Sequence, residues 1–319
     1  MADNKRKKSV LVTGSSGFIG GNFVRAFRKT FPRVTLVGLD IRKSRNGEDF
    51  FYRGSMCNPR LLDKIFKKHK PEYVFHFAAI PRVSYSVLHP AETTHANVYG
   101  TVLLLEKSRD ARVKRFIFSS SSSVYGGAKK LPTRENENAP NPRSPYAAHK
   151  YFGEIFCRQA SELYGLDTVS LRYFNVYGPG QYGDSPYSTV VCSWLETLYF
   201  AKKGRVSYLE GDGTQSRDFS YVGDVVAANI KAMQYRKKFN GDCFNIGAGS
   251  RTDLLRVKKL IEQYTGRKLN LKRQPSRLGD VRHTHADVSK ARKTFGFRPQ
   301  VPFEKGLKRT VRWFIGRKK

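Results

Sequence analysis

A short apolar run, Ser9-Val-Leu-Val-Thr13, stops at Gly14-Ser-Ser-Gly17-Phe-Ile-Gly20, and helical apolar spacing at Phe23, Val24 and Phe27 follows. A strand, a glycine turn and a helix in that order leave few architectures open. The strand is of the kind buried on both faces, and its helix must return the chain to a parallel neighbour. The glycines allow a tight turn and close backbone approach, while the helix start presents unpaired N–H groups and a positive dipole end. A pyrophosphate fits there. The next strand, Val34-Thr-Leu-Val-Gly-Leu39, closes at Asp40, about 20 residues past the last glycine. A carboxylate in that place bonds ribose hydroxyls and repels a 2′-phosphate, so the pair predicts NAD over NADP. Arg42 and Lys43, just beyond, pull the other way.

Further strands are expected at Tyr73–Ala78, Arg115–Ser119 and Thr168–Phe174, with helices near Leu61–Lys68, Thr94–Ser108 and Tyr146–Tyr164. Strands alternating with helices predict an α/β fold with a doubly wound parallel sheet. The rhythm loosens after Gly178-Pro-Gly180. The expected division is a nucleotide-binding domain of residues 1–178, rejoined by 219–250, and a smaller substrate domain of 179–218 and 251–319.

Composition narrows the setting. The chain carries 59 Lys+Arg against 26 Asp+Glu, a formal net charge of +33, which raises nucleic acid as a partner. The excess is spread along both halves, with short clusters only at Lys5–Lys8, Lys67–Lys70, Arg236–Lys238 and Arg317–Lys319. No nucleic-acid motif accompanies them, so a solvated basic surface is expected and no specific nucleic acid. No apolar stretch approaches the roughly 20 residues that span a bilayer, and Met1–Lys8 is polar and basic, so no signal peptide is expected there. Cys57, Cys157, Cys192 and Cys243 lie far apart, as reduced thiols of a cytoplasmic protein would. The seven histidines show no ligand spacing, and no metal is expected.

Tyr146-Ala-Ala-His-Lys150 sets a tyrosine and a lysine on one helical face, just after Pro145 at a helix start. A free tyrosine, with a pKa of about 10, is a poor base at neutral pH. A lysine cation and a nicotinamide cation beside it would both stabilise the phenolate.

Together these segments resemble the extended short-chain dehydrogenase/reductases over nearly the whole chain. Thr13-Gly-Ser-Ser-Gly-Phe-Ile-Gly20 looks like their cofactor motif and Tyr146-x-x-x-Lys150 like their reacting pair. Asn97-Val-Tyr-Gly-Thr101, Phe118-Ser-Ser-Ser-Ser-Ser-Val-Tyr-Gly126, Arg172-Tyr-Phe-Asn-Val-Tyr-Gly-Pro179, Gly211-Asp-Gly-Thr-Gln-Ser-Arg-Asp218 and Gly279-Asp-Val-Arg282 match in order. Within the family the pattern is most similar to UDP-hexose 4-epimerases, especially those acting on N-acetylhexosamines. The resemblance makes Ser121, Tyr146 and Lys150 catalytic. It assigns a tightly held NAD to Gly14, Gly17, Phe18, Ile19, Gly20, Asp40, Ser55, Ala78, Lys150 and Tyr173. It assigns the UDP-sugar to Ser84, Ser121, Tyr146, Asn175, Arg217, Arg277, Arg282 and Thr284, the arginines and Asn175 at the diphosphate. The implied reaction oxidises the sugar at C4, lets the 4-keto sugar turn over, and returns hydride to its other face. NAD is regenerated each cycle.

Departures matter as much. Related dehydratases carry Asp and Glu where Ser122 and Ser123 stand, and related decarboxylases a Glu at the second position, so neither reaction is implied. Thr284 is small where a bulky aromatic would restrict the site to UDP-glucose and UDP-galactose, which leaves room for an N-acetyl group. Glucuronate epimerases need a small residue there too, but tend to have a threonine in place of Asn175 and an arginine near Tyr182. A Lys of glucose-type enzymes is replaced by Pro81, and an adenine-binding Asp by Ser55, which implies weaker cofactor retention. The rival readings are a UDP-glucuronate 4-epimerase, another NAD(P)-dependent sugar-nucleotide oxidoreductase, and an RNA-binding relative. The last is disfavoured because Tyr146 and Lys150 are both present. The resemblance also implies a homodimer through a four-helix bundle built from Thr94–Ser108 and Tyr146–Tyr164.

Overall fold

The computed structural model describes residues 8–44, 46–182, 189–200, 206–275 and 281–317. Its frame is a seven-stranded sheet: β1 (Ser9–Thr13), β2 (Thr35–Asp40), β3 (Phe50–Arg53), β4 (Tyr73–His76), β5 (Arg115–Ser121), β6 (Thr168–Tyr173) and β7 (Cys243–Ile246). All pairings are parallel and the spatial order is β3-β2-β1-β4-β5-β6-β7. The expected doubly wound α/β fold is what forms. Every residue of β1 is buried, as the continuous apolar run requires of a strand covered on both faces. Two strands lie beyond the sequence expectation. In β3 the residues Phe50-Phe-Tyr-Arg53 form an edge, where burial is incomplete and no alternating pattern develops. In β7 only Cys243–Ile246 pair, too few for a periodicity to register.

Helices cover both faces. On one, Phe18–Thr30 and Val222–Gln234 pack Phe23, Phe27 and Val225 onto Phe75 and Val169. On the other, Pro59–His69, Gly100–Asp110 and Pro145–Tyr164 bring Leu62, Phe66, Leu104 and Cys157 against Leu11 and Phe116. A third core joins Val190–Phe200, Leu254–Thr265 and Phe303–Gly316 through Trp194, Leu195, Ile261, Leu307 and Phe314. Beside it run three two-stranded pairings, Ser207–Glu210 with Leu271–Gln274, Ser216–Arg217 with Thr252–Asp253, and Val176–Tyr177 with Ser220–Tyr221.

Two local features position the site. The helix Pro145–Tyr164 starts where it does because the Ser144 hydroxyl accepts from the Ala147 amide and Pro145 needs no N–H partner at the first position. That places Tyr146 in the first turn. The expected helix over Thr94–Ser108 is interrupted by a π turn, His95–Tyr99. Such bulges mark functional segments, and this one carries Asn97, which pairs with both backbone groups of Ile80, accepting at 2.8 Å and donating at 3.2 Å. Among the described residues no helix is long and apolar enough to cross a membrane.

Candidate active site

The sheet order reverses between β1 and β4, so their C-terminal ends diverge and open a crevice at the switch point. Gly14 lies on one lip with φ +72°, and a Cβ there would meet the Ala78 backbone at 2.6 Å. Gly20 is pressed against the same loop, since its Cβ would sit 2.1 Å from the Gly14 carbonyl oxygen. Gly17 caps the helix Phe18–Thr30 with no side chain, which leaves the first-turn amides, those of Phe18 and Ile19 included, without a side-chain acceptor. Asp40, 8% exposed at the end of β2, accepts from the Ser16 amide at 3.0 Å and the Arg42 amide at 2.9 Å. This cradle fits a dinucleotide: a bare helix start for the diphosphate and a carboxylate fixed beside it for a ribose. Arg42 also turns toward the cradle, 3.9 Å from Asp40. Ser55 lies exposed past β3, where its hydroxyl accepts from the Cys57 amide and keeps its own proton to donate.

The residues expected to react gather at the end of β5. Lys150, buried, donates to the Ser119 carbonyl at 2.6 Å and lies 5.9 Å from the centre of the Tyr146 ring. Burial brings Lys150 down to about 8. Burial also pushes the Tyr146 phenol up to about 12, opposed by a hydrogen bond with Ser121. Because the Ser121 oxygen already accepts from the Ser123 amide at 3.2 Å, its proton is available to donate to the phenol oxygen. A hydroxyl, a phenol and an ammonium thus share one edge of the crevice, an arrangement suited to moving a proton on and off a substrate alcohol.

A model of the NAD dependent epimerase/dehydratase family matches residues 10–247. The chain belongs to this family. Its cofactor is NAD, and the resemblance read from the motifs holds. The UDP-glucose 4-epimerase of Thermotoga maritima, solved with UDP-glucose, is 37% identical, with 98% of this chain and 100% of that one covered at a TM-score of 0.90. The UDP-N-acetylglucosamine 4-epimerase of Methanobrevibacter ruminantium M1, solved with UDP-N-acetylmuramic acid, is 33% identical over 98% and 99%, TM-score 0.88. The UDP-glucuronic acid 4-epimerase of Bacillus cereus, solved with UDP-glucuronic acid and NAD, is 29% identical over 97% and 99%, TM-score 0.87.

In this epimerase/dehydratase the expected substrate residues fall in several places. Asn175 donates to the Thr284 hydroxyl oxygen at 3.0 Å, and that oxygen also accepts from the Asp218 amide at 3.0 Å. The two are therefore one unit. A small open cleft at Thr284 is lined by Ser122, Tyr125, Phe174, His283 and Thr284. Arg217 donates to the Ser216 and Arg282 carbonyls at 3.1 and 3.0 Å, on the short strand bordering this region. The Arg282 side chain, 69% exposed, reaches Asp212 and Thr214 instead, each at 3.2 Å. Ser84 is half-buried in the short helix Val83–Leu88. Tyr173 uses its hydroxyl on Asn229 at 2.9 Å and Ser119 at 3.2 Å, inside the first core. Arg277 lies outside the described residues.

Several residues around the site carry no sequence signal. Ser86 accepts from the Tyr146 amide at 3.0 Å and so holds the helix Pro145–Tyr164 to Val83–Leu88. His76 is buried between the Thr13 and Thr101 hydroxyls, 2.8 Å from each. Thr101 spends its proton on the Asn97 carbonyl, so it accepts from His76 Nε2–H, and Thr13 donates to Nδ1. Burial first and the Lys150 charge second press His76 to about 3, so it is neutral at working pH. Asp218 binds the amides of Ala248, Gly249 and Ala286 at 2.7, 3.1 and 3.0 Å, stitching the third core to the sheet, and burial pushes it up to about 6. A serine or histidine in a sequence looks alike whether it pins a helix or faces water.

Proposed function

We propose that this chain is an NAD-dependent 4-epimerase of UDP-hexoses that interconverts UDP-GlcNAc and UDP-GalNAc as well as UDP-glucose and UDP-galactose. The observation that carries the reading is the convergence of Ser121, Tyr146 and Lys150 beside the glycine cradle. Tyr146 takes and returns the proton of the sugar 4-hydroxyl, Ser121 donates to the same oxygen, and Lys150 holds the positive charge that favours the phenolate. When bound, NAD supplies a reversible two-electron acceptor for C4. Gly14, Gly17, Gly20 and Asp40 would hold it, with Ser55 and Ala78 at its edges. Asn175, Arg217 and, from the C-terminal part, Arg277 and Arg282 are proposed for the diphosphate, where guanidinium forks suit phosphate. The proposed division assigns residues 1–178 and 219–250 to NAD and residues 179–218 and 251–319 to the sugar nucleotide. A homodimer through Thr94–Ser108 and Tyr146–Tyr164 is supported by the exposed Tyr99, Phe152, Leu163 and Tyr164 on those segments.

The deciding experiment incubates the purified chain with UDP-GlcNAc, adds no cofactor, and follows UDP-GalNAc by proton NMR. Conversion is the expected result. Failure with UDP-GlcNAc, UDP-glucose and UDP-glucuronate, even with NAD supplied, sinks the reading.

A second reading, epimerisation of UDP-glucuronate, is favoured by the similarity to the Bacillus cereus enzyme. Against it stand Asn175 and Tyr182. The guanidinium stacked on Tyr182, that of Arg317 at 4.6 Å, is committed to Glu196 at 2.9 and 3.3 Å.

Thr284→Tyr separates the sugars. The bulk fills the cleft beside C2, and loss of the Thr284 hydroxyl also releases Asn175. Release of Asn175 affects every UDP-sugar alike, whereas bulk discriminates. The ratio of kcat/KM for UDP-glucose over UDP-GlcNAc should therefore rise by on the order of tenfold or more. An unchanged ratio removes Thr284 from the sugar pocket.

A further inference from the structure

Three consecutive serines at the end of β5 each hold one turn of the catalytic helix. Ser121 bonds Tyr146, the Ser119 carbonyl takes Lys150, and the Ser120 hydroxyl donates to Glu154. Tyr146, Lys150 and Glu154 are spaced by four residues and share a face of Pro145–Tyr164. Glu154 is the deepest. Its carboxylate receives both arms of Arg172 from β6, Nε at 2.8 Å and a terminal nitrogen at 2.6 Å, with both side chains about 5% exposed or less. The remaining Arg172 nitrogen donates to the Tyr125 hydroxyl at 2.8 Å, which in turn donates to Asn245 of β7 at 2.7 Å.

We propose that Glu154, clamped by Arg172 and Ser120, is a positioning residue that sets the height of Tyr146 and Lys150 on β5 and balances the charge that surrounds Lys150. The proposal rests on the reading of Tyr146 and Lys150 as the reacting pair.

The charges around Lys150 bear this out by elimination. On its own helix it interacts with Tyr146, His149, Glu154 and Cys157, and on β4 with His76; Tyr173 of β6 bonds Ser119, whose carbonyl holds Lys150, and Arg172 of β6 is paired with Glu154. Both histidines are pressed below their ordinary value by burial and are neutral near pH 8. Burial raises the Cys157 thiol and both tyrosines, so they are uncharged there as well. What is left is one anion, Glu154, and the cation paired with it, Arg172. Glu154 acts to keep Lys150 protonated against the desolvation that lowers it.

Single replacements should then act with opposite signs. Glu154→Gln keeps the shape but leaves Arg172 uncompensated, so Lys150 loses its proton at lower pH, by roughly one unit. Arg172→Gln leaves the anion and moves Lys150 the other way. The double variant E154Q/R172Q, with neither charge, returns toward the starting value. The full chain labelled with 13Cε-lysine reads this directly by NMR, with Lys150 assigned through K150M, and thermal melts check that each variant is folded. Shifts of opposite sign in the two single variants, cancelling in the double, are the expected result. Folded variants whose Lys150 midpoint stays put, or moves the same way in both, overturn the proposal. Where a single variant does not fold, its comparison is made between the double variant and the other single. The pH at which the rise of kcat levels off should follow the NMR midpoint. The NMR result stands even where no UDP-sugar turns over, so failure of the epimerase reading and failure of the charge balance are told apart.

Discussion

Tyr146→Phe should lower kcat for UDP-sugar epimerisation by about 10²–10⁴-fold, the range removed with a general acid–base group, while KM and bound NAD change little. The phenol touches the reacting atoms only through its oxygen, and the ring position is fixed by the helix start at Ser144 and Pro145, which phenylalanine leaves intact. The Tyr146 amide still donates to Ser86. The pH dependence has a definite sign. Burial holds the phenol near 12, so at low pH it carries its proton and cannot serve as base, and activity rises with pH. The supporting cation is lost as pH climbs through about 8, where Lys150 deprotonates; the phenolate fraction is still rising there, so the two changes offset and the rise levels off. The rising limb belongs to the phenol and should vanish in Tyr146→Phe, whose residual rate loses its acid dependence. Steady-state rates from pH 6 to 10 with pre-loaded NAD provide the check. Wild-type kcat in Tyr146→Phe would remove the phenol from the chemistry.

Much of this site was legible because its logic is local. Gly14, Gly17 and Gly20 stand at fixed spacing in a continuous stretch, and Tyr146 with Lys150 needs only four residues of one helix. Asp40 follows from the end of the next strand. The reading failed where a role depends on residues far apart in sequence. The strand expected over Arg115–Ser119 runs on to Ser121, and Ser119 and Ser120 each fasten a different turn of Pro145–Tyr164. Their partners are 31 and 34 residues away. The π turn at Asn97 is invisible for a related reason: helical apolar spacing continues through it, and the Asn97 partner Ile80 lies 17 residues away. The contacts of the exposed Arg282 side chain with Asp212 and Thr214 were likewise unreadable from its motif, since the fold of that surface turn sets them. The even spread of cations hid another fact. Two of the most buried arginines, Arg115 and Arg172, are structural ties within the sheet rather than part of the basic surface.

Arg115 carries the largest expected effect on stability. At the start of β5 it pairs with Asp167 at 2.6 Å, with side chains 7% and 4% exposed. Its terminal nitrogens donate to the carbonyls of Ala232, Met233, Tyr235 and Lys237 at 2.6, 3.3, 2.8 and 2.7 Å, closing the C-terminal end of the helix Val222–Gln234. The guanidinium lies 4.8 Å over the Phe239 ring. Asp167 in turn accepts from the Phe239 and Asn240 amides at 2.7 and 3.2 Å. Arg115→Met fills the volume but strands a buried carboxylate and removes the donor from those carbonyls, at a cost of about 3–5 kcal/mol. That is a large part of the roughly 5–15 kcal/mol by which a domain is stable, so the urea midpoint should fall sharply. Asp167→Asn is the milder change. The guanidinium keeps its carbonyl partners there, and the amide still offers one acceptor to Phe239 and Asn240. Arg115 stands at the N-terminal end of β5 and Ser119–Ser121 at the other, so both variants, while folded, should retain wild-type kcat. Equal losses in the two variants would mean that the ion pair alone, rather than the closure of the helix end, accounts for the stabilisation.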